Sequence, residues 1–350
     1  MLKNSNISFH DIYKNKNNDY SDILYGLTLK QQKKINPKYL YDENGSVLFD
    51  EITTLDDYYP TKKEIEILEN QNKDFYDILP PASSVIEFGS GSNKKIKRLL
   101  KALDNPKEYI PIDISREFLF KNAIKSAKDF PNLKIKAVCA DFDQIKALDK
   151  IIDNEKAKIG FFPGSTIGNY NPKDAKKLLQ KFSKILGKNN YLVIGVDLKK
   201  DISILERAYN DSKGITAKFN KNILSGINNI CGTIFNEKNF SHRAFFNEEK
   251  SRIEMHLVSK KKQTIDVLNT KIFLKEGETI HTENSYKYSV DSFKKLVESS
   301  KYKIVRILKD KKSFFGIFFL KVNNFWNISI LITQDPADRI QKSIKRYAIF

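Results

Sequence analysis

Cysteine is scarce in this chain: Cys139 and Cys231 are the only two in 350 residues, which excludes a disulfide framework and any cysteine-rich zinc module. Histidine is nearly as rare. His10, His242, His256 and His281 stand in no ligand spacing, so no metal site is expected. Long apolar runs are also missing. The most hydrophobic stretch, Phe314–Leu320 and then Phe325–Ile332, is interrupted by Lys321, Asn323 and Asn324 and is too short to span a membrane. No apolar segment with a small-residue cleavage site opens the chain. The expectation is a protein of the reducing cytoplasm with no membrane partner.

Dense arginine clusters are absent too, although 61 Lys+Arg against 43 Asp+Glu leave a formal charge of +18. A charge of that size suits a nucleic-acid or anionic-membrane partner, or simply a solvated surface. The excess is mostly lysine scattered through Asn-rich stretches, beginning with Lys14–Tyr20, and that dispersal favours the solvated surface. With 40% hydrophobic and 30% charged residues the chain should fold, and its length allows one large or two medium domains.

The first sixty residues read as irregular, with short helical pieces and a turn-like YDENGS at Tyr41–Ser46. A helix capped by Thr61 should follow and end before Pro80. From Ser84 to Leu198, short apolar runs alternate with amphipathic segments: VIEF, EYIPID, KIKAVC, KIGFF and NYLVIGVDL as strands, with helices between them, IKALDKII (Ile145–Ile152) included. That rhythm specifies α/β architecture, a doubly wound parallel sheet with helices on both faces. Residues 199–286 break it. A helix (ISILERAYND), a Gly- and Asn-punctuated stretch and alternating strands read there as an inserted antiparallel α+β unit. SVDSFKKLVESS, YKIVRILKD and SFFGIFFLKV then return a helix and an antiparallel edge hairpin to the sheet. The expected division is 1–61 as the N-terminal part of a substrate domain, 62–198 as the core, 199–286 as the insertion, 287–321 as the end of the core, and 322–350 as a tail of no assigned role.

In such a sheet the first glycine turn sits where ligands bind. Here it is Gly89-Ser90-Gly91, whose amides suit an anionic group, although glycines in this position often serve tight packing alone. Asp113 ends the second strand about 24 residues on, where an acid accepts ribose hydroxyls or caps a helix. Asp141 and Phe142 end the third and suit an adenine. A nicotinamide dinucleotide would want a third glycine, whereas this loop continues Ser92-Asn93-Lys94-Lys95. S-adenosylmethionine (SAM), with its amino-acid end, ribose and adenine, fits the order better.

Other segments are more specific. KYLYDENGSVLFDEITTLDDYYPTKKE (Lys38–Glu64), VIEFGSGSNKK, CADFD, FFPGSTIGNYNP, LVIGVDLKKD, RAYNDSKGITAKFNKNIL (Arg207–Leu224), RIEMHL and HTENSYKY follow one another over Gly26–Leu320. Together they resemble the histidine Nα-methyltransferase family of ergothioneine biosynthesis. The resemblance implies the class I SAM-dependent methyltransferase fold, a Rossmann-like sheet carrying the inserted domain, and successive methylation of the α-amine of free L-histidine to the trimethylated betaine hercynine. It implies SAM contacts at Tyr41 (methionine end), Gly89, Lys95, Asp113, Asp141 and Phe142. It places Tyr58 and Asn169 at the α-amine, Asn169 and Tyr209 at the carboxylate, and Glu283 with Ser285 at the imidazole, in a pocket shaped by Met255. No metal is implied, and a monomer is expected.

Each of these residues has a plainer reading. Tyr58 and Tyr59 suit a packed aromatic pair, Tyr209 a helix face, Glu283 a solvated strand charge and Met255 filler. Rival functions are methylation of another amino acid or aromatic amine, methylation of nucleic acid, and SAM binding without catalysis. Glu283, Ser285 and Met255 all agree with the histidine type.

Overall fold

The computed structural model describes residues 6–13, 16–141, 148 and 150–323. In chain order, β1 (Ile7–Asp11), α1 (Lys16–Thr28), β2 (Lys33–Lys34), α2 (Glu43–Ile52), α3 (Tyr59–Asn70) and α4 (Asn72–Ile78) come first. The alternation follows: β3 (Ser84–Phe88), α5 (Lys94–Ala102), β4 (Glu108–Asp113), α6 (Arg116–Asp129), β5 (Lys134–Cys139), β6 (Lys158–Phe162), α7 (Pro172–Leu186) and β7 (Tyr191–Asp197). Next are α8 (Ile202–Arg207), α9 (Ile215–Cys231), β8 (Phe240–Asn247), β9 (Arg252–Ser259), β10 (Gln263–Val267), β11 (Thr270–Leu274) and β12 (Thr279–Tyr286). α10 (Val290–Glu298), β13 (Tyr302–Lys309) and β14 (Phe315–Val322) close the described chain.

Eight strands share one sheet in the order β1-β5-β4-β3-β6-β7-β14-β13. The first six run parallel, and β14 and β13 return antiparallel at the edge. This is the Rossmann-like class I methyltransferase sheet with its edge hairpin. β3 and β6 are buried at every residue, which is why their sequences read as continuous apolar runs instead of alternating ones. One hydrophobic cluster, with Phe162, Phe182 and Phe318, covers one face of this sheet, and another, with Phe75, Phe161 and Phe319, covers the other. After β5 the chain reverses its direction of travel across the sheet and resumes at β6 on the other side of β3, so the carboxyl end of β3 lies at the switch point.

A second sheet, β2-β12-β9-β8, with a separate β10-β11 hairpin, packs with α1, α2 and α9 around a third cluster that includes Tyr58, Phe219 and Met255. Among the described residues no helix is long and apolar enough to cross a membrane.

The structure departs from the sequence reading in four places. Ile7–Asp11, expected to be irregular, is a strand paired parallel to β5; it is mostly half-buried and lacks the apolar run that marks its neighbours. The turn-like YDENGS opens α2, with Asp42 capping it by accepting from the Gly45 amide at 2.7 Å. Thr61 is not a cap: α3 begins at Tyr59, buries Thr61 and gives way to α4 at Gln71. The Gly- and Asn-punctuated stretch is the long helix α9, set between Gly214 and Gly232, both in the left-handed region (φ 69° and 63°). Its asparagines bond to other elements instead of competing with the helix: Asn220 donates to the His256 carbonyl and Asn222 to Asp42. Half of the helix expected over 145–152 lies outside the described residues.

Candidate active site

A cavity of about 760 Å³ opens at the carboxyl ends of β3, β4 and β6, with β12 across from them. Every described residue named from the sequence as a site residue lines it: Tyr41, Tyr58, Gly89, Lys95, Asp113 and Asp141, together with Asn169, Tyr209, Met255, Glu283 and Ser285. Phe142 lies outside the described residues.

The first wall is the glycine turn. Gly89 and Gly91 take left-handed angles (φ 73° and 41°) that other residues rarely adopt, and a Cβ at Gly91 would meet nothing within 4 Å. Asp113 braces the turn, accepting from the Gly91 amide at 3.0 Å and from the Ser115 amide at the start of α6 at 2.9 Å. Burial pushes its carboxyl up, and those amides oppose the shift. Asp141 stands 3.9 Å from Lys38 Nζ. Lys95 is bound within the protein: its ammonium lies 2.7 Å from Glu64 Oε2, and the Gly164 amide donates to the same carboxylate at 2.9 and 3.0 Å. Behind the turn, Tyr109 donates to Glu87 Oε2, while Glu87 Oε1 and Ser90 Oγ are buried without a partner. Burial drives the Glu87 carboxyl well above its usual range, against the pull of Tyr109.

The second wall belongs to β12. A bulge at Thr282 shifts the register with β9, so that His281 faces His256 but Glu283 faces Met255. Thr282 holds the bulge by donating to Asn220 Oδ1 and the Met255 carbonyl. Glu283 Oε1 then accepts from Asn169 Nδ2 at 3.4 Å and from Tyr41 OH at 3.3 Å. Tyr41, expected at the methionine end, therefore meets the residue assigned to the imidazole. The reason is that the strand before it, β2, pairs with β12 and carries the following residues alongside. Asn169 comes from the GSTIGN turn, where Gly168 permits close packing: a Cβ there would stand 2.9 Å from the Tyr286 carbonyl. Burial raises the Glu283 carboxyl to about 7, opposed by Tyr41 and Lys287. Tyr58 packs its ring edge-on against Phe49 and Tyr209, and burial lifts its hydroxyl well above the ordinary tyrosine value.

Behind Ser285 lies a charged network that the sequence reading missed. Lys287 donates to Asp197 Oδ2 at 2.7 Å, Ser285 Oγ at 2.8 Å and Tyr209 OH at 3.1 Å. Tyr209 donates to Ser285 Oγ at 2.7 Å. Tyr59 and Lys200 hold the rest of Asp197. Burial works to raise the Asp197 carboxyl, but the two lysines prevail and leave it below its ordinary value.

The sequence signature of the histidine-specific, SAM-dependent methyltransferases matches residues 19–322. The chain belongs to this family. It is 35% identical over 272 residues to the histidine N-alpha-methyltransferase of Mycolicibacterium smegmatis, covering 76% of this chain and 83% of that one. The Mycobacterium tuberculosis protein of the same name matches with the same identity and coverage. Ergothioneine biosynthesis protein 1 of Neurospora crassa is 33% identical over 264 residues, 73% of this chain but 30% of that longer protein. The chain is thus a SAM-dependent methyltransferase.

In this methyltransferase, Glu64, Asp197 and Lys287 lay inside the segments that carry the resemblance, yet nothing in their spacing marked them as partners of Lys95, Tyr209 and Ser285. The histidines also differ from expectation. The β9–β12 register gathers Glu254, His256 and His281 so that one ligand atom of each lies within 4.8 Å of the others. Their geometry is that of a hydrogen-bonded stack: the imidazoles lie 4.7 Å apart at 9°, His256 Nε2 meets Glu254 Oε2 at 3.0 Å, and Arg252 matches the carboxylate's charge. Parallel rings cannot aim both in-plane lone pairs at one ion.

Proposed function

We propose that this methyltransferase transfers methyl groups from SAM to the α-nitrogen of free L-histidine, ending at hercynine, the first step of ergothioneine biosynthesis. One observation supports this above the rest: Glu283 and Ser285, an acceptor and a hydroxyl suited to an imidazole, line the same cavity as the glycine turn, with Asn169 bonded to Glu283. A substrate domain of 1–61 and 199–286 set on a core of 62–198 and 287–321 suits this reading, apart from β1, which joins the large sheet. We also assign it monomeric action in the cytoplasm, without a nucleic-acid partner.

The residues present fit SAM. The unpartnered Glu87 Oε1 and Ser90 Oγ would receive donors and acceptors from the amino-acid end, Gly89 and Gly91 let the backbone approach, and Asp113 and Asp141 suit the ribose and the adenine. When bound, SAM supplies an electrophilic methyl on a sulfonium.

The protein's task is alignment. Displacement needs the amine's lone pair in line with the methyl and water kept out. Tyr58 and Asn169 would orient the nitrogen, and Asn169 with Tyr209 the carboxylate, while the rings of Phe49, Tyr58 and Phe219 close the space. Burial keeps the Tyr58 hydroxyl protonated at neutral pH, so it orients the amine instead of stripping it. An α-amine titrates at pH ~8 to 9, so its proton is lost to water at small cost. Incubating the protein with SAM and a panel of free amino acids, and following product mass, tests the reading. Trimethylation of histidine alone supports it; preference for another amino acid, or no product, ends it.

A further inference from the structure

Two lysines share one buried aspartate behind the substrate wall. Lys287 meets Asp197 Oδ2 at 2.7 Å and Lys200 meets Oδ1 at 2.6 Å, and their side chains are 0% and 3% exposed against 1% for the carboxylate. Two ammonium groups against one carboxylate leave a positive charge over. Water scarcely reaches it, so it is screened far less than the lysines of the surface, and a buried charge of this kind is costly unless a ligand brings its counter-ion. A second acid, Asp310, acts on Lys200 from farther off, but it accepts from the Lys312 and Phe315 amides and faces Lys63 at 4.0 Å.

The surplus lies against one end of the substrate pocket. Lys287 Nζ stands 3.1 Å from Tyr209 OH and 4.9 Å from the centre of its ring, and Tyr209 with Asn169 is assigned the substrate carboxylate. Both of those groups are neutral, since burial lifts the Tyr209 hydroxyl well above the ordinary tyrosine value. An anion held in a dry cavity by neutral donors alone is poorly compensated. The cations of the cofactor wall are already matched, Lys95 by Glu64 and Lys38 by Asp19.

We propose that Lys200 and Lys287 are positioning residues whose surplus charge, lying behind Tyr209, makes the pocket select the α-carboxylate, so that an amino alcohol carrying the same ring is rejected. This rests on the histidine reading and deepens it by naming what recognises the acid end. A charge acts through space, so the effect holds wherever the Tyr209 hydrogen points. Among the groups nearby, Tyr41, Tyr58 and Tyr59 are kept protonated by burial, and Glu283, raised to about 7, carries only part of its charge near neutrality. Lys200, lowered by burial to about 8, still holds most of its proton there.

The test is calorimetry at about pH 7 with excess S-adenosylhomocysteine in place of SAM, so that no methyl is transferred. It compares L-histidine with L-histidinol, in which a hydroxymethyl group replaces the carboxylate. The wild type should bind histidine at least roughly thirtyfold tighter. Lys200 bonds to Tyr59, Asp197 and Leu198, none of which lines the cavity, so Lys200→Met removes the charge and leaves the walls in place. Histidine should then lose roughly tenfold in affinity, while histidinol, itself a cation, stays within about threefold or gains, and the SAM Kd stays within about twofold. A merely structural role would weaken both ring ligands alike. Should Lys200→Met fail to fold, Lys287→Met removes the same charge and decides by the same ratio. Equal binding of the two ligands by the wild type, an unchanged ratio in the variant, or parallel losses overturn the proposal. A wild type that refuses histidine ends the substrate reading alone, because the same comparison on the amino acid it does bind, against the matching alcohol, still decides the charge.

Discussion

The carboxylate of Glu64, on α3, occupies the space that a side chain at Gly195, in the middle of β7, would need. The missing Cβ is what lets a fully buried acid reach the Lys95 ammonium and the Gly164 amide. Gly195→Ala should displace Glu64 and leave its partners unmatched. The expected loss of unfolding free energy is about 2–4 kcal/mol, with weaker SAM binding, since Lys95 lines the cofactor wall. Denaturant titration with and without SAM measures both, and an alanine variant as stable as wild type would refute the arrangement.

Glu283→Gln should act in opposite directions on binding and stability. The Glu283 carboxyl is raised by burial from 4.5 to about 7, so between those values the folded protein keeps a proton that the unfolded chain releases. Unfolding free energy therefore falls as pH rises through that window. Glutamine carries no charge to bury and should remove this slope, giving up to about 3 kcal/mol more stability above neutrality while histidine binding collapses. Urea unfolding of the ligand-free proteins across pH checks the sign.

Asp113→Ala should separate the cofactor wall from the substrate wall. It removes the brace on the Gly91 and Ser115 amides and the acid proposed for the ribose. The expected result is about 1–3 kcal/mol less stability and at least about tenfold weaker SAM, with histidine far less affected. Calorimetric titration of each ligand reads this directly. SAM affinity unchanged within experimental scatter would remove Asp113 from the ribose.

Salt distinguishes a free amino acid from a polyanion as substrate. Turnover on histidine should be nearly level between about 50 and 200 mM salt, whereas a nucleic-acid substrate would lose affinity by orders of magnitude over that range. A steep decline in steady-state rate would return weight to the +18 charge as a functional feature.

The parallel sheet was readable because β3 and β6 are buried throughout and have no polar face to disguise them. The glycine turn and Asp113 were readable from their register alone. Tyr58, Asn169 and Glu283 were not: singly each looks like packing or a surface charge, and only the ordered motifs of the family named them. α9 escaped because Asn220 and Asn222 are poor helix formers whose compensating bonds, to His256 and Asp42, come from other elements. The Thr282 bulge and the Asp197–Lys287 pair escaped for a related reason. Register and burial depend on what lies opposite, and a single chain position carries no record of that.

The two walls of the cavity differ in how far along the chain their pieces lie. Gly91 and Asp113 are 22 residues apart, whereas Tyr41 and Glu283 are joined across 242. Closing so long a loop comes late, because its entropy is lost before any contact offsets it. A refolding molecule should therefore recover its grip on SAM before it can recognise histidine, and stopped-flow mixing with each ligand in turn would show two separate phases.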